Sequence, residues 1–240
     1  MERLDKFLSA RGAGTRKEVQ KLIKSGAVRV DGAVVKTVDF KIDPDAAAVT
    51  VGGRTIGADK LVYIMLNKPA GVVSATQDKR DKTVIDILPS DMKRPGLFPA
   101  GRLDKDTEGL LIITNDGDLA HRMLSPKKHV EKRYIAQLNG DITPEMIARF
   151  EQGIVFADGT KCMPAKLETK TKNDKNIGIV TICEGKYHQV KKMFAVCGLN
   201  VVHLQRISVG NLYLDSNLPI GSSKYLTKMD IEHIFVGNIH

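Results

Sequence analysis

The chain of 240 residues carries 37 Lys and Arg against 28 Asp and Glu, a net charge of +9, with 42% hydrophobic residues. That apolar content excludes a disordered chain and suffices for two buried cores, while the excess of positive charge favours a polyanionic partner such as nucleic acid. No stretch approaches the ~18 uncharged apolar residues of a membrane span, the charged opening MERLDKFLSA lacks the apolar centre of a signal peptide, and Cys162, Cys183 and Cys197 form no CxxC pair. A cytosolic protein with reduced thiols and no membrane association is expected.

Residues 1–57 read as a small unit of their own. Leu4, Phe7 and Leu8 fall at helical spacing and stop at Gly12. A second helix opens on Thr15 and Glu18 as a capping box, carries Val19, Leu22 and Ile23 as its apolar stripe, and closes on Gly26. AVRVDGAVV then reads as two short strands around Asp31-Gly32, a favoured two-residue hairpin turn. Arg16, Lys17, Lys21 and Lys24 lie off the apolar stripe, where they face either RNA phosphates or plain solvent.

GADK, residues 57–60, is the expected linker to a second unit, residues 58–240, of mixed α+β character. Apolar and β-branched enrichment places strands at Leu61 to Leu66, Leu110 to Thr114, Lys132 to Leu138, Ile177 to Cys183 and Val201 to Ile207. TQDKRDK, residues 76–82, reads as a charged surface loop. Asp118 is the expected cap of LAHRMLS, and Thr143 with Pro144 opens PEMIARFEQG. Val190, Met193, Phe194 and Cys197 give an amphipathic stripe stopped by Gly198, with Lys191 at its edge. Thr227 and Asp230 form another capping box ahead of Ile231, Ile234 and Phe235.

GRLDKDTEGLLIITNDG, residues 101–117, sets Asp104, Asp106 and Glu108 at alternate positions. A calcium loop does not fit, because its twelfth position is Asn115 where a bidentate Glu is needed, and Pro95 and Pro99 occupy the entering helix. The scattered histidines also offer no zinc site, so no metal is expected. Asp106 and Glu108 fit a hydrated turn in part. Asp104 stands where an irregular segment enters a buried strand, and a carboxylate there needs a partner to stay ionised. Arg102 and Lys105 are poor partners by sequence adjacency, whereas Lys191, at the edge of its stripe, either points into a cleft or is an ordinary snorkelling lysine, which spacing alone favours.

These stretches carry two resemblances. RLDKFL…G…TRKEVQKLIKSGAVRVDG resembles the S4 RNA-binding domain. NKPAGVVSA, GRLDKDTEGLLIITNDGDLAHRMLSP, EKRYIAQL and EGKYHQVKKMF resemble, in order, the motifs of the RsuA branch of pseudouridine synthases, which also carries an S4 unit in front. The likeness spans essentially the whole chain.

The resemblance implies a catalytic domain built on a mixed, largely antiparallel sheet with flanking helices. It implies an enzyme without a cofactor that isomerises one uridine of 16S rRNA within an assembling small subunit; with no coiled-coil or obvious interface stretch in the sequence, a monomer is expected. Asp104 takes the position of the family's catalytic aspartate, Tyr134 that of its active-site tyrosine, and Lys191 that of its basic residue. An ordinary aspartate is ionised near neutrality, so the site has to keep it charged when buried. The target nucleotide has to leave the RNA stack, and Arg102 either fills the gap or holds a neighbouring phosphate. Arg122, Lys127, Lys128, Lys132 and Arg133 form an expected phosphate-facing strip, with a solvated face as the competing reading. Two readings compete: a synthase acting on 23S rRNA, and a non-catalytic RNA-binding or ribosome-assembly protein that keeps the fold.

Overall fold

The computed structural model describes residues 1–44, 46–56, 61–125, 128–172 and 175–236. The expected linker at 57–60 lies outside them. Near the start, β1 (Glu2–Arg3) leads into α1 (Leu4–Ala10), followed by α2 (Arg16–Lys24). The capping box of α2 is present: Thr15 N–H donates to Glu18 Oε2 at 2.7 Å and Glu18 N–H to Thr15 Oγ1 at 3.4 Å. β2 (Val28–Val30) turns into β3 (Ala33–Val34) through Asp31 and Gly32, whose φ values of 49° and 84° are those of the tight hairpin turn the pair favours. β4 (Lys41–Ile42) pairs with β1, while β5 (Val49–Val51) and β6 (Arg54–Ile56) complete a four-stranded sheet in the order β3-β2-β5-β6. Leu4, Phe7, Leu8, Val19, Ile23 and Val28 fill one core between these helices and strands.

The larger unit runs β7 (Tyr63–Lys68), β8 (Phe98–Pro99), β9 (Glu108–Thr114), α3 (Gly117–Leu124), β10 (Lys132–Leu138), α4 (Pro144–Gln152), β11 (Lys166–Lys172), β12 (Lys175–Ile182), α5 (Gln189–Val196), β13 (Val201–Val209), β14 (Leu212–Tyr213), β15 (Ser223–Tyr225) and α6 (Lys228–His233). Its nine-stranded sheet has the order β11-β12-β10-β13-β9-β7-β15, with β14 on β13 and β8 on β9. β13 and β9 are parallel and the other described pairs antiparallel, so the sheet is mixed and largely antiparallel.

Burial explains the sequence patterns. In β7 and β9, Ile64, Leu66, Leu111 and Ile113 face one core while Met65, Leu110 and Ile112 face another. Strands covered on both sides need apolar residues at every position, hence YIML and LLII. β10 is buried on one side only, and KRYIAQL alternates accordingly. α4 and α5 cover the first core, where the Phe150 and Phe194 rings meet at 5.1 Å. α3 and α6 cover the second.

Three local expectations are corrected. Asp116, not Asp118, caps α3, accepting from the N–H groups of Asp118 and Leu119 at 3.0 Å. Asp118 is thereby left to pair with Lys6 of α1 at 2.5 Å. Phe235 follows α6 instead of lying within it, and the Arg122 guanidinium sits 4.1 Å above its ring. β11 was not expected, because KLETKTK offers mainly polar alternation and only Leu167 is a buried apolar anchor.

Candidate active site

The segment Gly101 to Thr107 enters β9 as an irregular loop, and its main chain is held from behind by the strand beside it. Lys68, at the end of β7, has no solvent exposure. Its Nζ donates to the carbonyls of Pro69 at 3.0 Å, Asp104 at 3.0 Å, Lys105 at 3.2 Å and Thr107 at 2.8 Å. Three N–H donors shared among four carbonyls gather the loop around one cation. Gly71 N–H donates to the Lys105 carbonyl at 2.7 Å, and Ser74 Oγ both donates to the Leu103 carbonyl (2.8 Å) and accepts from the Leu103 N–H (3.0 Å). NKPAGVVSA therefore shapes the loop that carries Asp104. Burial pulls the Lys68 ammonium down to about 8, although the charges of Asp106, Asp104 and Glu108 oppose the shift.

From the other side, Gly109 brings β9 against β13. Its φ is +99°, and a Cβ there would lie 2.3 Å from the Arg206 carbonyl oxygen. Only glycine permits that approach. Arg206 is buried and donates from Nε to the Leu110 carbonyl at 2.8 Å.

Asp104 projects from this loop with its side chain 27% exposed, so it is half-buried instead of enclosed. Lys191 Nζ lies 3.6 Å from Asp104 Oδ2, and His188 Nε2 lies 3.6 Å from Oδ1. Lys191 is closer still to Asp106, at 2.5 Å, and that contact holds the Asp106 carboxyl below the usual carboxylate range. Glu108 pairs with His203 at 2.7 Å. Asp106 and Glu108 thus have cationic or imidazole partners, where a partly hydrated turn was expected. α5 supplies Lys191 because Val190, Met193 and Phe194 bury the opposite side of the helix.

A cavity of about 220 Å³ opens in front of Asp104, lined among others by Arg102, Tyr134, Tyr187, His188 and Lys191. Tyr134 is 8% exposed and forms part of its inner wall, whereas Arg102 is exposed. The space lies below the ~300–1,000 Å³ of pockets that enclose drug-sized ligands. Among the described residues no group of three His, Cys, Asp or Glu side chains could hold a metal ion.

The basic residues divide. Arg16, Lys17, Lys21 and Lys24 are all exposed on α2, with Arg16 3.6 Å from the buried Asp5. The expected strip from 122 to 133 is not one face. Arg122 and Lys128 are exposed, Lys127 lies outside the described residues, and Lys132 is buried, with burial pulling its ammonium down to about 8. Arg133 points to the other side of β10, where it binds Glu168 at 2.9 Å. The strand's two-residue period forces the split, since Lys132 shares a face with Tyr134 and Arg133 cannot.

Sequence reasoning missed Lys68, Ser74, His188 and Glu184, the last a buried carboxylate that accepts from Gln189 Nε2 at 2.7 Å next to His188. A lysine ending an apolar strand was a readable signal for Lys68. For Ser74, His188 and Glu184 we find no signal outside the motifs that contain them.

Residues 62–196 match the family model described as RNA pseudouridylate synthase, and residues 2–47 match the S4 domain. This chain belongs to the RNA pseudouridylate synthase family. The synthase is 49% identical over 230 residues to an uncharacterized RNA pseudouridine synthase of Bacillus subtilis (strain 168), covering 95% of this chain and 96% of that one. It is 41% identical to the ribosomal small subunit pseudouridine synthase A of Vibrio parahaemolyticus (97% and 99% covered) and 36% identical to the ribosomal large subunit pseudouridine synthase B of Bacillus subtilis (98% and 96%). A solved structure titled "Crystal structure of pseudouridylate synthase" superposes with a TM-score of 0.69 at 36% identity, covering 98% of the synthase and all of that chain.

Proposed function

We propose that this synthase isomerises one uridine of 16S rRNA to pseudouridine, docking through its S4 domain (residues 1–57) on RNA of the assembling small subunit and working as a monomer without a cofactor. The observation that carries the reading is Asp104, held by the Lys68-gathered loop at a cavity of about 220 Å³ with Lys191 and His188 each 3.6 Å from its carboxylate. The 16S preference is supported by the 41% identical relative named for the small subunit.

The reaction moves no atoms in or out. The bond from N1 of uracil to the ribose breaks, the base turns, C5 joins the same ribose carbon, and the C5 proton is lost while N1 gains one. Asp104 acts as the ionised carboxylate, adding to the sugar or base or taking a ribose proton. Lys191 is the cation beside it, 3.6 Å from Oδ2. Tyr134 stacks against the uracil, and its hydroxyl helps remove the C5 proton. Reaching these atoms requires the nucleotide to be flipped out of the stack, at a few kcal/mol. Exposed Arg102 at the rim fills the gap or holds the adjacent phosphate.

The test is tritium release from 16S transcripts labelled at uridine C5, compared for wild type and Asp104→Asn, with free RNA and with an assembly intermediate. Release by wild type alone, with RNA affinity retained in Asp104→Asn, is the expected result. Release only from 23S transcripts would overturn the 16S assignment in favour of the activity that the large-subunit relative's name carries. Tight binding with no release from either RNA would leave a binding protein.

A further inference from the structure

At the rim of the cavity the Tyr187 ring lies on the His188 ring, with centroids 3.8 Å apart and planes inclined by 21°. Tyr187 is 70% exposed, in contrast to Tyr134 inside. Isolated exposed aromatics are common on protein surfaces and need no explanation. This one stands on a loop fixed at several points. Buried Glu184 accepts from Met163 N–H at 2.9 Å and from Gln189 Nε2 at 2.7 Å, and it also binds the Lys186 ammonium. Gln189 Oε1 accepts in turn from Lys186 N–H at 2.9 Å. His188 is held at φ 52° and ψ 34°, a left-handed conformation that histidine adopts more readily than most residues. The chain thus spends a buried carboxylate, a buried amide and an unusual backbone turn on presenting an exposed two-ring stack. Lys192 completes the group, its Nζ 5.2 Å from the Tyr187 ring centroid.

We propose that Tyr187, backed by His188, is a stacking platform for the nucleotide next to the flipped uridine, with Lys192 beside it for that nucleotide's phosphate. The inference rests on the reading of the cavity as the seat of a flipped base. Extruding one nucleotide removes a stacking partner from each neighbour, and an aromatic ring at the cavity rim replaces one of them. Stacking tolerates any base, so Tyr187 contributes affinity and positioning more than sequence choice. It is a positioning residue: Asp104 and Tyr134 meet the uridine, and Tyr187 holds the strand that delivers it.

The experiment measures affinity for 16S and 23S transcripts, and KM and kcat on whichever is converted, for wild type, Tyr187→Ala and Tyr187→Phe. Affinities are also measured in the Asp104→Asn background. Tyr187→Ala is expected to weaken binding and raise KM by roughly 5- to 150-fold, with the smaller change in kcat. Tyr187→Phe keeps the ring and is expected to restore binding to within about twofold of wild type. Unchanged affinity in Tyr187→Ala would overturn the proposal, as would equal damage from Tyr187→Phe, which would assign the role to the hydroxyl. If wild type converts neither RNA, the isomerase reading falls. The affinity comparison still decides the platform, and failure of wild type to bind either transcript overturns both.

Discussion

Lys191 Nζ stands 2.5 Å from Asp106 Oδ1 and 3.6 Å from Asp104 Oδ2, so one ammonium is shared between two carboxylates and leans toward the more exposed of them. Asp106 is 73% exposed, where solvent screens the pairing strongly, while Asp104 shares its cavity with Lys191 in a drier setting. On the proposed reading Asp106 only tethers Lys191, whereas Asp104 depends on it. Asp106→Asn is expected to change kcat/KM by less than about fivefold. Lys191→Met is expected to lower it by about two orders of magnitude or more, with Lys191→Arg recovering part of the loss. Tritium-release kinetics on the converted rRNA separate the two, and equal effects would make Asp106 a second functional acid.

Lys68 gives a pH dependence whose two parts run in opposite directions. Its ammonium titrates near 8 in the folded protein against an ordinary 10.5. Between those values the unfolded chain holds more protons, so this group alone favours folding increasingly as pH rises through the window. The loop contacts behave differently, because the ammonium has three donors and the neutral amine only two. Turnover is expected to fall as pH rises through about 8 without a parallel fall in Tm. Lys132 titrates in the same range, also through burial, but no described hydrogen bond ties it to the loop. Lys132→Met is expected to keep the pH 8 fall and Lys68→Met to lose it, together with roughly 100-fold of its turnover. A profile unaltered by Lys68→Met would remove Lys68 from the account.

Gly109 and Gly117 make a matched pair for stability. A methyl at Gly109 meets the Arg206 carbonyl at 2.3 Å from a φ of +99°, whereas one at Gly117, the first residue of α3, meets nothing within 4 Å. Gly109→Ala is expected to destabilise by about 3 kcal/mol or more, through forced separation of β9 and β13. Gly117→Ala is expected to stabilise by about 0.5 kcal/mol, by narrowing the unfolded ensemble. Urea denaturation midpoints measure both.

How far these features could be read from the sequence depended on whether their cause was local. Capping boxes at Thr15 and Thr227 and the Asp31-Gly32 turn involve residues within a few positions of one another, and each is present. The doubly buried strands were legible because an apolar run records burial on both sides. Asp104 and Lys191 were brought together by the apolar stripe that leaves Lys191 at its edge and by the family motifs, although their spacing along the chain says nothing of a 3.6 Å approach. Lys68 ends an apolar strand, which signals its burial, but its partners are main-chain carbonyls up to 39 positions away, which no side-chain pattern encodes. Lys132 was misread for a simpler reason: counting charges along 122 to 133 ignored the two-residue period that turns Lys132 inward with Tyr134. β11 was missed because a strand with one buried anchor on an edge resembles a polar loop.

The basic residues give a contrast in salt dependence. Lys17, Lys21 and Lys24 are exposed on α2, and among the described residues none of them makes a salt bridge that would compete with RNA, whereas Arg133 is held by Glu168 at 2.9 Å on the far side of β10 from Tyr134. Each phosphate contact adds roughly 0.7 to 0.9 to the slope of log affinity against log salt. The combined change Lys17→Gln, Lys21→Gln and Lys24→Gln is expected to reduce that slope by about 2 if all three reach phosphates, with kcat at saturating RNA little affected. Arg133→Gln is expected to leave the slope unchanged. Filter binding of the rRNA transcript across salt concentrations measures both, and a slope that shifts with Arg133 but not with the α2 lysines would move the docking surface from the S4 domain to the open face of the large sheet.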